Sequence, residues 1–311
     1  MPPPVARVLY ASRACLEKPV FGELERIRRS ALRNNQALGV HTALLHQAGW
    51  FLQWKEGPAV GMHRLMERVA RDARHRELQV VHASRGPRLL DGPWSMAVVP
   101  CDEPPHVLAQ RIARAASAGA RDQDRAVGPA EVWCRIAMPL RCGQGGEFQE
   151  SDACQRVLLA SAVGTTAFEL VRWLAARHGA AVAHRRFAAL ARDVASELAD
   201  LRVQGRALRI VSLARKGLAV PLARALLQAN SHLVLLLCGE AARDAALLDS
   251  MAAACAGHAQ PPMLVGVGPD VRAHGALLAL AASRRLAYVP AIADPRDYAG
   301  VWAALQPVLA Q

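Results

Sequence analysis

Thr42-Ala43-Leu44-Leu45 and Trp50-Phe51-Leu52-Gln53-Trp54 are the two stretches that decide the fold. Both are bulky and apolar, and the short turn between them contains Gly49, the pattern of a β-hairpin. Gln53 is the oddity, because an amide on a half-buried strand must find partners for both its oxygen and its NH₂ group. Upstream, Ala6–Ala11 is a β-run followed by a helix over Phe21–Asn35. That helix carries Phe21, Leu24, Ile27 and Ala31 at spacings of three and four, which makes one apolar stripe. Downstream, Pro58 opens a second helix with Met62, Leu65, Met66 and Val69 on one face. Leu78–His82 and Ser95–Val99 supply two further strands. The order β-α-β-β-α-β-β predicts a ferredoxin-like α+β sheet with both helices on one side.

Beyond residue 100 the rhythm changes. Residues 101–152 read as a helical connector and linker: Val107, Leu108, Ile112 and Ala115 mark one amphipathic helix, Gly119–Ala130 is polar, and Cys142–Glu150 is a Gly-rich loop. From 153 to 311, continuous apolar β-runs appear at Val157–Ala160, Leu208–Leu213, His232–Cys238, Met263–Val267 and Leu286–Ile292. Alanine-rich helical stretches separate most of them, which predicts a doubly wound parallel α/β domain. Three segments are therefore expected, at 1–100, 101–152 and 153–311. No internal repeat is evident.

Composition narrows the class. The 311 residues are 52% hydrophobic and 21% charged, too apolar for a largely disordered chain. No apolar run approaches the ~20 residues of a membrane-spanning helix, and Met1–Pro4 lacks the start of a signal peptide, so a cytoplasmic protein without membrane contact is expected. The net charge is +12, yet only Lys18, Lys55 and Lys216 are lysines and the 35 arginines are dispersed, often beside acids. Dispersed charge is a solvated face, and direct nucleic-acid contact is not expected. Seven cysteines (Cys15, Cys101, Cys134, Cys142, Cys154, Cys238, Cys255) form no C-x-x-C pair; they suit a reducing compartment, and no metal site is expected.

Three side chains are out of place in the first hundred residues: Tyr10 in an apolar strand, Asn34-Asn35 at a helix end, and Gln53. Singly, each has an ordinary explanation as a packing residue, a C-cap or a cross-strand partner. As a set they resemble a known family. Val8-Leu9-Tyr10-Ala11-Ser12-Arg13, Arg33-Asn34-Asn35-x-x-x-Gly39, Gly49-x-Phe51-Leu52-Gln53-x-x-Glu56-Gly57, Asp72-x-Arg74-His75 and Trp94-Ser95-Met96 resemble, in order and spacing, the BLUF domain, a blue-light sensor that binds FAD non-covalently.

The resemblance implies roles. The isoalloxazine ring would lie between the two helices. Asn35 would present its carboxamide to the flavin pyrimidine edge, with Arg74, His75 and Asn34 contributing around it. Gln53 would bridge Tyr10 and the flavin, and Tyr10 would give an electron and a proton to the photoexcited ring. On recombination Gln53 has rotated or tautomerised, which an amide can do because its two ends are alike in shape and opposite in hydrogen-bonding sense. Trp94 and Met96 match positions that pass the change to the fifth strand, and Ser12 matches a serine near this cluster. The chain departs from the family pattern in Gly39-Val40-His41-Thr42, in His46, and in Lys55, which replaces an apolar residue on the same strand face as Gln53. These positions bear on flavin affinity, dark recovery and the signalling surface.

In the second half, Val157–Thr166 reads as a strand, a small-residue turn and a helix start. With Leu208–Gly217, Leu235–Asp244, Pro262–Asp270 and Ala293–Arg296 it is similar to a small GTPase that has lost its chemistry. Thr165 stands in place of the phosphate-binding lysine, Ala214-Arg215-Lys216-Gly217 lacks the metal-orienting acid, and Val267-Gly268-Pro269-Asp270 keeps only the final Asp. The expectation is a blue-light photoreceptor whose non-catalytic output domain acts on a protein partner, with homo-oligomerisation expected and no enzymatic activity. Light-regulated GTP binding and light-dependent antirepression of a transcription factor are the alternatives.

Overall fold

The computed structural model describes residues 3–17, 20–98, 103–121, 127–140, 154–189, 192–255 and 261–310. The chain begins with β1 (Val5–Ala14), α1 (Val20–Gln36), β2 (His41–Gln47), β3 (Trp50–Gly57) and α2 (Ala59–Ala70). β4 (His75–Gly86), β5 (Trp94–Val98), α3 (Pro105–Arg121) and α4 (Pro129–Ala137) follow. Next come β6 (Gln155–Ser161), α5 (Thr166–Arg177), β7 (Val182–Ala189), β8 (Arg192–Val203), β9 (Arg206–Leu213) and α6 (Pro221–Ala225). The last elements are β10 (His232–Leu236), α7 (Ala241–Cys255), β11 (Met263–Gly268), α8 (Gly275–Ser283), β12 (Tyr288–Ile292) and α9 (Tyr298–Leu309). They form two compact units. The first comprises residues 1–138, 185–193 and 220–225, and the second comprises 139–184, 194–219 and 226–311.

In the first unit the hairpin forms as the sequence requires. Gln47 pairs with Trp50, and the two residues between them, Ala48 (φ 47°) and Gly49 (φ 74°), are both left-handed. Two left-handed residues make the turn whose twist matches a hairpin. The sheet runs β5-β2-β3-β1-β4, antiparallel except for the parallel β2–β5 pair. Every residue of β3 is buried, which accounts for its continuous rather than alternating apolar run. One face of the sheet, with Tyr10, Leu44, Phe51 and Trp94, packs against α1 and α2 through Ile27, Met62, Leu65 and Val69. The other face carries Leu45, Trp50, Leu52 and Trp54.

That second face corrects the expected connector. Leu108 and Ile112 of α3 and Ile136 of α4 approach Leu45, Trp50 and Leu52, and the Trp54 and Trp133 rings lie 6.4 Å apart. Helices α3 and α4 thus belong to the first unit, because without them three large apolar side chains of β3 would face water. Arg111, itself buried, ties the two helices by donating to the Ile136 carbonyl at 3.0 Å and pairing with Glu103. The Gly-rich loop expected at Cys142–Glu150, and residues 122–126 of the expected linker, lie outside the described residues. A further addition comes from far along the chain: Arg186–Ala189 pair antiparallel with Ser95–Val98 of β5.

In the second unit, β6, β9, β10, β11 and β12 are parallel in the order β12-β11-β10-β6-β9, all at positions read as strands from the sequence. β8 joins β9 antiparallel through Gln204 (φ 50°) and Gly205 (φ 79°). Leu170, Val171 and Leu174 of α5 and Val301, Trp302 and Leu305 of α9 bury against Val157, Leu159, Ile210, Val234 and Val265. β7 and β8 also lie between the first two parallel strands, after α5. Val194, Leu198 and Leu201 recur at helical spacing within an alanine-rich background, and partnering with β9 overrides that local signal. Across this pair Asp200 faces Arg209. The guanidinium donates two 2.7 Å bonds to the carboxylate, with both side chains buried.

Candidate functional site

On the α1/α2 face of the first sheet an open cleft, about 620 Å³ with the solvent at its mouth included, has Tyr10, Gln53, Lys55 and Trp94 on its floor. Apolar walls come from Ile27 and Ala31 of α1 and from Leu65 and Val69 of α2. Polar groups ring the remainder: Asn34 and Asn35 at the end of α1, Arg68 on α2, and Asp72, Arg74 and His75 in the turn that enters β4. Seven of the nine side chains singled out from sequence line the cleft, and the other two, Ser12 and Met96, lie against residues of the lining. The apolar walls were legible in the stripes of the two helices, whereas Arg68 gave no sequence signal.

Strand register fixes the central pair. Tyr10 on β1 lies directly opposite Gln53 on β3, and Leu44 on β2 flanks Gln53 from the other side. Tyr10 is fully buried, and its hydroxyl has no well-formed hydrogen bond. Burial pushes the phenol well above its ordinary pKa and the charge of Asp72 pushes it further, while the Gln53 side chain acts the other way. Tyr10 is therefore a neutral phenol whose O–H lies beside a buried carboxamide and makes no well-formed hydrogen bond among the described residues. Leaving such a group unpartnered costs about 1–3 kcal/mol, which makes this position one that a ligand atom would complete.

The remaining polar groups are held by their neighbours. Asn35 is buried and donates from Nδ2 to Thr42 Oγ1 at 2.9 Å, so the departure at Thr42 orients the amide instead of displacing it. Asn34, at the exposed rim, donates to Ser30 Oγ at 3.2 Å. Arg74 donates from Nε at 2.9 Å and Nη2 at 2.5 Å to Asp72, which holds that carboxyl below the usual carboxylate range. Ser12 is fully buried, and its hydroxyl bonds His75 Nδ1 at 2.7 Å. Burial lowers the His75 pKa to about 4, with Asp72 opposing the shift, so the ring is neutral at neutral pH. His41 turns away from the cavity: its Nδ1 lies 2.6 Å from the Leu90 carbonyl, in the loop before β5.

Trp94 lines the cavity and packs in a cluster with Ile27, Leu44 and Phe51. Met96 does not line it but packs, partly buried, against that same cluster and pairs with Leu44 across β2–β5. A planar, largely apolar ring system with a polar edge matches this lining. Aliphatic walls flank a floor where Tyr10 Oη makes no well-formed hydrogen bond among the described residues, and Asn35 presents a carboxamide whose Nδ2 is engaged by Thr42. The residues present thus fit a flavin.

Elsewhere the chemistry is closed. Gly164 (φ 69°) makes the expected turn before α5, but Thr165 Oγ1 donates to Glu169 at 2.7 Å and the Tyr298 hydroxyl donates to the same carboxylate at 2.5 Å. These bonds hold Glu169 below the usual carboxylate range, and an anion then occupies the first turn of α5, where a phosphate would need the helix dipole. Asp270 accepts from the Ala273 N–H at 3.0 Å and caps a short helical turn. Among the described residues no cluster of His, Cys, Asp and Glu could hold a metal, and no helix is long and apolar enough to cross a membrane.

Comparison with known proteins agrees with the cavity. The family model described as "BLUF: Sensors of blue-light using FAD" matches residues 5–97. No curated protein matches the chain. Among solved structures it is similar to BlrB, a BLUF protein in its dark state, with 25% identity, coverage of 30% of this chain and 72% of that one, and a TM-score of 0.29. It is also similar to a bacterial light-regulated adenylyl cyclase (17% identity, 43% of this chain and 39% of that one, TM-score 0.28). A third is BlrP1 of Klebsiella pneumoniae in a manganese and cy-diGMP complex (14% identity, 93% and 75%, TM-score 0.30). The comparisons lend no support to the small-GTPase resemblance. The expectation that the chain is not an enzyme is corrected, since the proteins similar to it include a light-regulated adenylyl cyclase. The loss of a G-domain signature therefore excludes no activity, and no reaction is thereby assigned to residues 153–311. With its cavity between α1 and α2 and its family match over the same strands, the segment 5–97 is a BLUF domain, a sensor of blue light that binds FAD as chromophore.

Proposed function

We propose that this chain is a blue-light photoreceptor in which hydrogen-bond rearrangement at Tyr10 and Gln53 is relayed through β5 to the second unit. Bound FAD supplies the absorption of blue light and the electron acceptor. Asn35, oriented by Thr42, holds the polar edge of the ring, and Arg74, His75 and Asn34 surround it. With FAD held there, Tyr10 would be the donor of one electron and its hydroxyl proton would move towards Gln53, both returning so that the cycle is redox-neutral. Gln53 comes back with its donor and acceptor ends exchanged, and no bond to the protein is made. The observation that carries this reading is the fully buried Tyr10 hydroxyl, without a well-formed hydrogen bond among the described residues, in register with a buried carboxamide.

The relay is supported by the pairing of β5. Met96 lies one strand beyond Leu44, which itself flanks Gln53, and Arg186–Ala189 add to the far edge of β5. The segment that holds them, residues 185–193, is flanked in sequence on both sides by residues of the second unit. A displacement of Trp94 or Met96 thus acts on a strand hydrogen-bonded to a segment continuous with the output half. Residues 153–311 are read as a doubly wound α/β output domain that signals to a protein partner, supported by the parallel order β12-β11-β10-β6-β9.

The test is an absorption spectrum of the purified full chain with FAD, in the dark and after blue light. A reversible small red shift supports the proposal. A protein that takes up no FAD, or a flavin spectrum unchanged by light, overturns it.

A further inference from the structure

We propose that Lys55 is a charge-tuning residue of the flavin cavity: its amine, set beside the Tyr10 ring and facing no acid that could neutralise it, governs how readily Tyr10 gives up an electron. The inference rests on the light-sensing reading above and adds a regulatory group to it. Lys55 is 3% exposed and lies two residues after Gln53 on the same face of β3, opposite Val8 on β1 and Thr42 on β2. Its Nζ is 5.8 Å from the centroid of the Tyr10 ring. Among the described residues it forms no ion pair.

The other groups around the cavity leave this position to lysine. Asp72 is the one carboxylate in the lining, and it is engaged by Arg74 through both oxygens. α1 contributes Asn34 and Asn35, β2 contributes Thr42, and none of these ionises. α2 contributes Arg68, and guanidiniums do not titrate near neutrality. On β1, burial keeps Tyr10 protonated far above neutral pH; on β4, His75 titrates at about 4. Lys55 alone crosses the neutral range, because burial lowers its pKa from 10.5 to about 7.

The sign follows from electrostatics. A cation beside an aromatic ring stabilises the neutral, electron-rich ring and opposes withdrawal of an electron from it. In acid Lys55 is charged and Tyr10 is the poorer donor; in mild alkali Lys55 is neutral and Tyr10 the better one. A unit charge at ~6 Å in an effective dielectric of ~20 changes an equilibrium by about a hundredfold, and water reaching the open cavity reduces the expected effect to about tenfold.

The experiment uses the full chain reconstituted with FAD. The initial rate of red-shift formation per absorbed photon is measured from pH 5.5 to 9, alongside ¹³C NMR of protein grown on labelled lysine. With three lysines in the chain, the Lys55 signal is the one missing from Lys55→Met. The expected result is a yield rising about tenfold with pH, its midpoint matching the Lys55 titration. Lys55→Met should be fixed at the high yield and Lys55→Arg at the low one, each checked for folding by circular dichroism. A flat or falling yield in the wild-type protein, or a pH dependence surviving in either variant, overturns the inference. Absence of any red shift at any pH overturns the light-sensing reading itself, whereas a normal but pH-independent shift overturns only the role of Lys55.

Discussion

In the cavity of the first unit, among the described residues, the buried Tyr10 hydroxyl makes no well-formed hydrogen bond and the buried Lys55 amine no ion pair. In the second unit Arg209, equally buried, shares two bonds with Asp200, and Thr165, at the turn most like a phosphate loop, is engaged by Glu169. A buried polar group without a partner costs free energy, so it persists where something outside the chain completes it. A group already paired by the chain has no such call on a ligand. Between two sites of similar sequence appeal, the difference in internal satisfaction separates the one built to receive a molecule from the one that only supports the fold.

The comparison breaks first at Tyr10. Tyr10→Phe should retain FAD and lose the light-induced red shift completely, and Gln53→Leu should behave alike; a shift surviving in either removes the central pair from the mechanism. In the second unit, Asp200→Ala takes the carboxylate from a buried guanidinium that keeps its bond to the Pro139 carbonyl, and should lower stability by about 3 kcal/mol, as read by urea denaturation. A loss below about 1 kcal/mol would mean that water or relaxation replaces the carboxylate. The same variant should leave the FAD spectrum unchanged.

Lys55 sharpens the comparison through pH. Its folded pKa of about 7 lies below the ordinary 10.5, so the folded state binds its proton less tightly than the unfolded chain. Stability from this group is complete above pH 10.5, falls as pH drops, and is at its minimum below pH 7. Lys55→Met should therefore raise the melting temperature of the FAD-free chain by about 5 °C at pH 6 and by much less near pH 10. An equal effect at both pH values would show that packing, not charge, limits the site. The smallest change is expected at Thr165. Its bond to Glu169 is solvent-exposed, and Thr165→Val should alter stability by less than about 0.5 kcal/mol.

Much of the first unit could be read from sequence because its signals are local. The Ala48-Gly49 turn, the stripe through Ile27 and Ala31, and the run from Trp50 to Trp54 each specify an element within a few residues of chain. The site residues Tyr10, Asn35 and Gln53 were legible for the opposite reason: each is polar where its element is apolar. What the sequence left open was non-local. The hairpin at β7–β8 carries helical spacing at Val194, Leu198 and Leu201, and only pairing with β9 makes it a strand. Helices α3 and α4 look like a connector until the second face of β3, with Trp50, Leu52 and Trp54, is seen to need a cover.

By itself, then, the sequence determined the order of elements in the sensor, the residues proposed for its photochemistry and the position of the parallel strands that follow. Tertiary structure decided that Tyr10 and Gln53 stand in register and that Thr42 orients Asn35. It also decided that Lys55 faces the cavity without an acid and that Arg186–Ala189 complete the edge of β5. The division follows from range: turns and amphipathic stripes are fixed by neighbours three or four residues away. Register, burial and the absence of a counter-ion depend on which distant segments the whole chain brings together.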